Sequence, residues 1–274
     1  MTYLYSNAFV TITVTYRGAY LVMSYPTHEQ DTIKSKMQIQ SGFIGSSSLE
    51  VAQKIWRHDG VRGFFKGCVP PLWGSMVYRG LMISSYELSY TFIELNCDEG
   101  SFWRRECIFG ILRPQVPLSS AFAACIRIIV ESPIEYAKVM GQTGQPWQVR
   151  HVYRGFWMQA LRTTSLLIPI YSAVDVSRRK TNWMNTLFGG FLVTAASAGL
   201  SYLAVWPLET LKNLAQSGTP HPNATLWDRI AYLGGPLGLF RGVVPGVLSG
   251  GLRNGCAMVA MTYAQHWASR LGLR

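Results

Sequence analysis

Charge is scarce in this sequence. Asp, Glu, Lys and Arg together make up 14% of its 274 residues, well under the roughly 25% usual in soluble domains. Acidic residues are scarcer still, 14 against 25 Lys and Arg, which leaves a net charge of +11. There is no dense basic run: the bases are spread along the chain, often singly inside apolar stretches. That scatter excludes a nucleic-acid arm or patch and points to lipid headgroups or a charged cavity. Cysteine is sparse and unpatterned. Cys68, Cys97, Cys107, Cys125 and Cys256 form no C-x-x-C pair and have no His at metal spacing, so zinc and redox motifs are excluded and no metal site is expected. Cys97 and Cys107 share one polar segment, and pairing there requires an oxidising space. The first 28 residues hold one base, Arg17, and no acid. This is not the Arg-rich pattern of a cleaved transit peptide, so any organelle signal is expected to be internal. No nucleophile-base pair, metal cluster or phosphate loop is visible, which argues against an enzyme.

Apolar residues, by contrast, reach 49%, with nine Trp and fourteen Tyr. Windows long enough to cross about 30 Å of hydrocarbon run over residues 3–26, 68–90, 116–138, 155–176, 186–207 and 243–263. Mean hydropathy is only +0.13, low for helices that face lipid all round. Each span is therefore expected to carry a polar face lining a water-filled interior.

Three segments share one grammar: ESPIEYAKVMGQTG from Glu131, VWPLETLKNLAQSG from Val205 and YPTHEQDTIKSKMQIQSG from Tyr25. Pro133 and Pro207 are each followed two residues later by a carboxylate, Glu135 or Glu209, and three further on by Lys138 or Lys212. The first copy keeps Asp31 and Lys34 in register, although Pro26 lies three residues early, with Glu29 where the proline is expected. A glutamine follows seven after each carboxylate, at Gln38, Gln142 and Gln216. An aromatic-basic-glycine triplet then opens the next apolar span: Phe65-Lys66-Gly67, Tyr153-Arg154-Gly155 and Phe240-Arg241-Gly242. Two landmarks recurring three times in one order mark an internal repeat.

On these residues the chain resembles the mitochondrial carrier family, whose signature is P-x-[DE]-x-x-[KR] closing each odd helix and a later [FYW]-[KR]-G. The stretch His58 to Gly67, HDGVRGFFKG, is especially similar to that family's first matrix loop. The resemblance implies an all-α membrane protein: six transmembrane helices in a pseudo-threefold barrel of three two-helix repeats, in the mitochondrial inner membrane with both termini in the intermembrane space. The repeats are then residues 1–90, 116–180 and 181–274, with an intermembrane-space loop at 91–115.

A proline inside a helix removes a backbone hydrogen bond and kinks the helix, and three kinks bring three helix ends together. Residues three apart share a helical face. In the family's arrangement, however, Asp31, Glu135 and Glu209 alternate with Lys34, Lys138 and Lys212 across neighbouring helices and close the matrix side. Gln38, Gln142 and Gln216 would brace those pairs. The outer counterpart, [FY]-[DE]-x-x-[KR], is thin. Glu87 faces Tyr90 in place of a base, Asp175 with Arg178 is complete, and Ala264 and Trp267 carry no charge. One cross-helix pair, Glu87 with Arg178, is expected there, and the matrix-closed state is expected to be the more stable.

Arginine inside a span is costly unless it meets water or a partner. Arg79, Arg162 and Arg253 are therefore candidate substrate ligands, and an Arg fork suits carboxylate or phosphate. Counting back thirteen residues from the even-helix ends, as the family's contact sites suggest, adds Gly74, Ser75 and Thr163. An Arg-plus-small-polar pair resembles carriers of carboxylates and keto acids. Backbone amides following Gly67, Gly155 and Gly242 suit a phosphate, and the resemblance makes cardiolipin the bound lipid, with no other cofactor.

Carboxylate and triplet lie 34 residues apart in the first repeat and 31 in the third, but 18 in the second. A second matrix helix is accordingly expected to be missing. Two functions follow: a transporter moving a small anionic metabolite by alternating access, or a carrier-fold subunit of a larger inner-membrane complex that no longer cycles.

Overall fold

The computed structural model describes residues 33–39, 42, 47–64, 69–107, 110–144, 146–221 and 223–270. The first apolar window, Asp31 and the Phe65-Lys66-Gly67 triplet lie outside the described residues. Those described are helical with no strand. In chain order they are α1 (33–39), α2 (Ser48–Phe64), α3 (Val69–Asn96), α4 (Gln115–Thr143), α5 (Phe156–Lys180), α6 (Leu187–Ser217), α7 (Leu226–Tyr232) and α8 (Val243–Arg270).

Local chemistry sets these boundaries. The Thr186 hydroxyl caps α6 by accepting from the Gly189 amide at 3.1 Å, and Thr225 with Asp228 forms a capping box on α7, each satisfying otherwise orphaned amides. α4 and α6 end alike, at Gly144 (φ 70°) and Gly218 (φ 70°). Both glycines adopt the left-handed turn that residues with a Cβ resist. Pro133 deprives the Ile129 carbonyl of its helical donor, and the Tyr153 hydroxyl donates to that carbonyl at 3.3 Å.

Each long helix packs on its chain neighbour, α3 on α4, α4 on α5, α5 on α6 and α6 on α8, while α4 and α6 also touch. Met82, Ile83, Ala123, Ala124, Ile128 and Leu167 form the core between α3, α4 and α5. Leu166, Ile170 and Ala198 join α5 to α6. Large apolar side chains on the opposite faces are exposed, among them Trp157, Phe188, Leu200 and Val244, as helices facing lipid require.

Two helices, Gln115–Gln142 and Leu187–Ser217, are long and apolar enough on their own to cross a membrane. A third span passes only as a bent pair, Leu226–Tyr232 with Pro236–Ala260, at 82°. Hydropathy thus supports two to three of the six windows read from the sequence. The reason lies in the inner faces: α5, for example, buries Gln159, Arg162 and Thr163. Between α4 and α5 the described residues hold a single 3-10 turn, Val149–His151, where the first repeat has α2 and the third has α7. That is the structural content of the short second spacing.

Candidate functional site

The proline-bearing ends of α4 and α6 meet the short helix α1. Lys34 Nζ lies 2.7 Å from Glu209 Oε1, joining α1 to α6, and Lys212 Nζ lies 2.8 Å from Glu135 Oε2, joining α6 to α4. Both pairs cross between repeats in the same rotational sense. The alternative within one helix, Lys212 with Glu209, is looser at 3.9 Å. The next pair in that sense would join Lys138 to Asp31, which lies outside the described residues. Lys34, Glu209 and Lys212 are buried.

One turn beyond Lys34, Gln38 is fully buried. It donates to Thr210 Oγ1 at 2.9 Å and to the Arg241 carbonyl at 3.3 Å, and it accepts from Asn213 Nδ2 at 2.6 Å. The indole of Trp206 donates to the same Arg241 carbonyl at 3.1 Å. The two recurring landmarks are therefore in contact: the triplet's backbone anchors the residues around the ion pairs. Gln142 and Gln216 are likewise buried, Gln216 against Gly155.

Above the pairs opens a small recess. Its wall carries six basic side chains, Lys34, Arg79, Arg127, Lys138, Arg162 and Arg253, and three acidic ones, Glu131, Glu135 and Glu209. Adding Asp31 to the acids would still leave the bases in excess. Arg162 is buried, with its Nε on Glu209 Oε2 and its guanidinium 5.8 Å from the Tyr202 ring centre. Thr163 Oγ1 lies 3.5 Å from Glu131 Oε2.

Gly74 does not belong to this wall. A Cβ there would sit 2.4 Å from Ile134 Cδ1, so its glycine permits the close crossing of α3 on α4. Of Ser75 only the backbone is described, within α3.

Sequence reasoning missed the pair Arg127 and Glu131. Arg127 holds both carboxylate oxygens, through Nε at 2.9 Å and through Nη2. It also lies over Tyr78, 5.0 Å from the ring centre. Both residues are buried. The available signal was an arginine with an acid four residues on, inside an apolar run.

At the opposite ends of the helices the reading shifts by one residue. Asp175 meets Arg179, at 2.9 Å and 2.8 Å, whereas Arg178 and Glu87 are exposed. Residues i+3 and i+4 are both helical neighbours, and here the loop decides. Arg179 also binds Glu106 and donates to the Ile111 carbonyl at 2.8 Å, while Lys180 reaches Glu106 at 2.8 Å. The Lys180 hydrogen bond and the charges of Lys180 and Arg179 hold the Glu106 carboxyl below its usual range. Beside this cluster Tyr86 stacks on Tyr171 at 4.3 Å and on Tyr90 at 5.8 Å.

Gly155 (φ 74°) and Gly242 (φ 68°) precede α5 and α8, and Gly67 lies outside the described residues. A Cβ on Gly242 would lie 3.4 Å from Lys34 Cα, and one on Gly155 would lie 3.1 Å from Ala215 Cβ. Both glycines therefore also allow helix ends to approach the ion pairs.

Proline-bearing helices, a basic recess and ion pairs crossing between repeats at one end make up the site. Residues 18–96 match the family model described as mitochondrial carrier protein. The chain is 26% identical over 123 residues to solute carrier family 25 member 48 of Bos taurus, covering 44% of this chain and 37% of that protein. It is 22% identical over 252 residues to mitochondrial substrate carrier family protein S of Dictyostelium discoideum, covering 81% and 84%. It is 22% identical over 221 residues to the mitochondrial carnitine carrier of Saccharomyces cerevisiae, covering 69% and 64%. The match thus spans little more than a third of the first relative and under two thirds of the third. The chain is thus similar to mitochondrial carriers, through the family model over residues 18–96 and through relatives of 22–26% identity.

Proposed function

We propose that the protein moves a small anionic metabolite, a carboxylate or keto acid, across the inner membrane by alternating access. The excess of basic over acidic side chains around the recess carries this reading. Six basic side chains against three carboxylates make this wall net positive, and arginine forks favour planar carboxylates. In this account the helices form a six-helix barrel of three repeats with both termini in the intermembrane space. The cross-helix pairs of Lys34, Glu135, Glu209 and Lys212 are the matrix gate, joined by Asp31 and Lys138 and braced by the three glutamines. Arg79, Arg162, Thr163 and Arg253 hold the solute. Cardiolipin binds at the helix starts after Gly67, Gly155 and Gly242.

The gate pairs suit repeated opening. Desolvation offsets much of the Coulombic gain of a buried ion pair, so its net strength is modest. The test is uptake by purified protein in liposomes, using dicarboxylates, keto acids, amino acids and nucleotides. Uptake of carboxylates, lost in Arg162→Ala, is the expected result. Uptake confined to neutral or cationic solutes, or none with stoichiometric copurification of a larger complex, would contradict it.

A further inference from the structure

The loop between α3 and α4 is pinned to three helix ends. Arg104 Nη1 donates to the Glu94 carbonyl at 3.4 Å and to the Cys97 carbonyl at 3.1 Å, and the first of these is one of the acceptors that the end of α3 leaves orphaned. The Trp103 carbonyl accepts from the Gln115 amide, at the start of α4, at 3.1 Å. Glu106 binds Arg179 and Lys180 at the end of α5. Held at these points, the loop still exposes Phe102 and Trp103, packed edge to face at 5.6 Å, with Arg105 exposed beside them. The bond to Gln115 sets their level. Gln115 immediately precedes the apolar window 116–138, so Trp103 stands at the edge of the hydrocarbon that a spanning α4 crosses. The two helices that the loop joins carry exposed apolar stripes up to this level: Leu118, Phe122 and Ile129 on α4, and Leu88, Phe92 and Leu95 on α3. Helical spacing sets each stripe on one face.

We infer that residues 101–105 anchor this loop in the membrane interface: Phe102 and Trp103 seat among the outermost methylenes, and Arg105 reaches the headgroup phosphates. This rests on the reading above that α4 spans the membrane, and adds a lipid contact outside the helices. Three observations name lipid as the occupant. The aromatic pair continues the exposed stripes of α3 and α4. It lies at the boundary where an amphipathic indole is favoured. The base beside it suits phosphate, and a long side chain can lay its stem on apolar surface while its charge reaches outward. A docked soluble protein would instead require the pair to stand clear of the bilayer. Because the same loop carries Glu106 to α5, the anchor holds three helix ends at one depth.

The test places the full chain in liposomes and reads Trp103 as the difference in tryptophan emission between wild type and Trp103→Phe, a change that keeps a ring at the site. Phospholipid brominated near the headgroup should abolish most of that difference signal, and phospholipid brominated near the chain end should abolish less of it. Acrylamide in the water should leave most of it. Phe102→Trp in the Trp103→Phe background should restore a signal with the same order of quenching, a second reading that does not depend on the first. A difference signal lost to acrylamide but kept in both brominated lipids, while the other tryptophans are quenched by lipid, overturns this inference alone and leaves the face to a soluble partner. Quenching by brominated lipid at none of the tryptophans overturns it together with the membrane reading.

Discussion

The two ends of the helix bundle are held by different physics. At the proline-bearing end, Lys34, Glu209 and Lys212 are buried and cross between repeats, with Gln38 tied beside them to Thr210, Asn213 and the Arg241 carbonyl. At the other end, an aromatic pile of Tyr90, Tyr86 and Tyr171 stands beside an ion cluster rooted in the loop, in which Lys180 is half exposed. A shielded charge network is unaffected by salt and fails abruptly when one member is removed, whereas a stacked and partly wet contact fails gradually. The first is a lock of defined register. The second is a closure whose ionic part responds to its surroundings.

The largest effect is expected at the buried end. Lys212→Ala leaves Glu135 and Glu209 without their shared base, at a cost of about 3–5 kcal/mol, read as a lower thermal midpoint of the purified protein that added salt does not restore. Next is Tyr86→Ala, which removes both stacks. Beyond the lost burial, aromatic pairs contribute about 0.5–1.5 kcal/mol each, so the midpoint should fall clearly but less than in Lys212→Ala. The smallest effect belongs to Glu106→Gln, a drop of a degree or so that vanishes in high salt, since screening acts on exposed charges. Its pH dependence has a definite sign. The folded carboxyl titrates below the ordinary value of 4.5, so its stabilising contribution is present above that pH and is lost as pH falls through the lowered value. Wild type and Glu106→Gln should therefore converge on acidification. A Glu106→Gln effect exceeding that of Lys212→Ala would erase the contrast between the two ends.

The features legible from sequence were those repeated three times. The carboxylate-lysine register marked the residues that meet as Lys34 with Glu209 and Lys212 with Glu135, while the resemblance supplied the pairing across helices and Asp31 lies outside the described residues. The 18-residue spacing anticipated a second repeat without its surface helix. Arg127 with Glu131 was not legible, because no counterpart exists in the third repeat, where Val205 stands two residues before Pro207. A pattern sought by repetition cannot register a feature present once. Arg179 in place of Arg178 was decided by Glu106, 73 positions away, and Gly74 by Ile134 on the neighbouring helix. These are tertiary contacts that spacing along one helix does not contain.

The account stands on ion pairs that lock one repeat to the next, and a double-mutant cycle on Glu135 and Lys212 in thermal unfolding tests this most directly. Contacting buried charges should show a coupling of about 1–3 kcal/mol, with the double replacement far milder than the two single changes added together. Additivity within about 0.5 kcal/mol would mean that the two residues do not interact, and the proposed gate would fall with them.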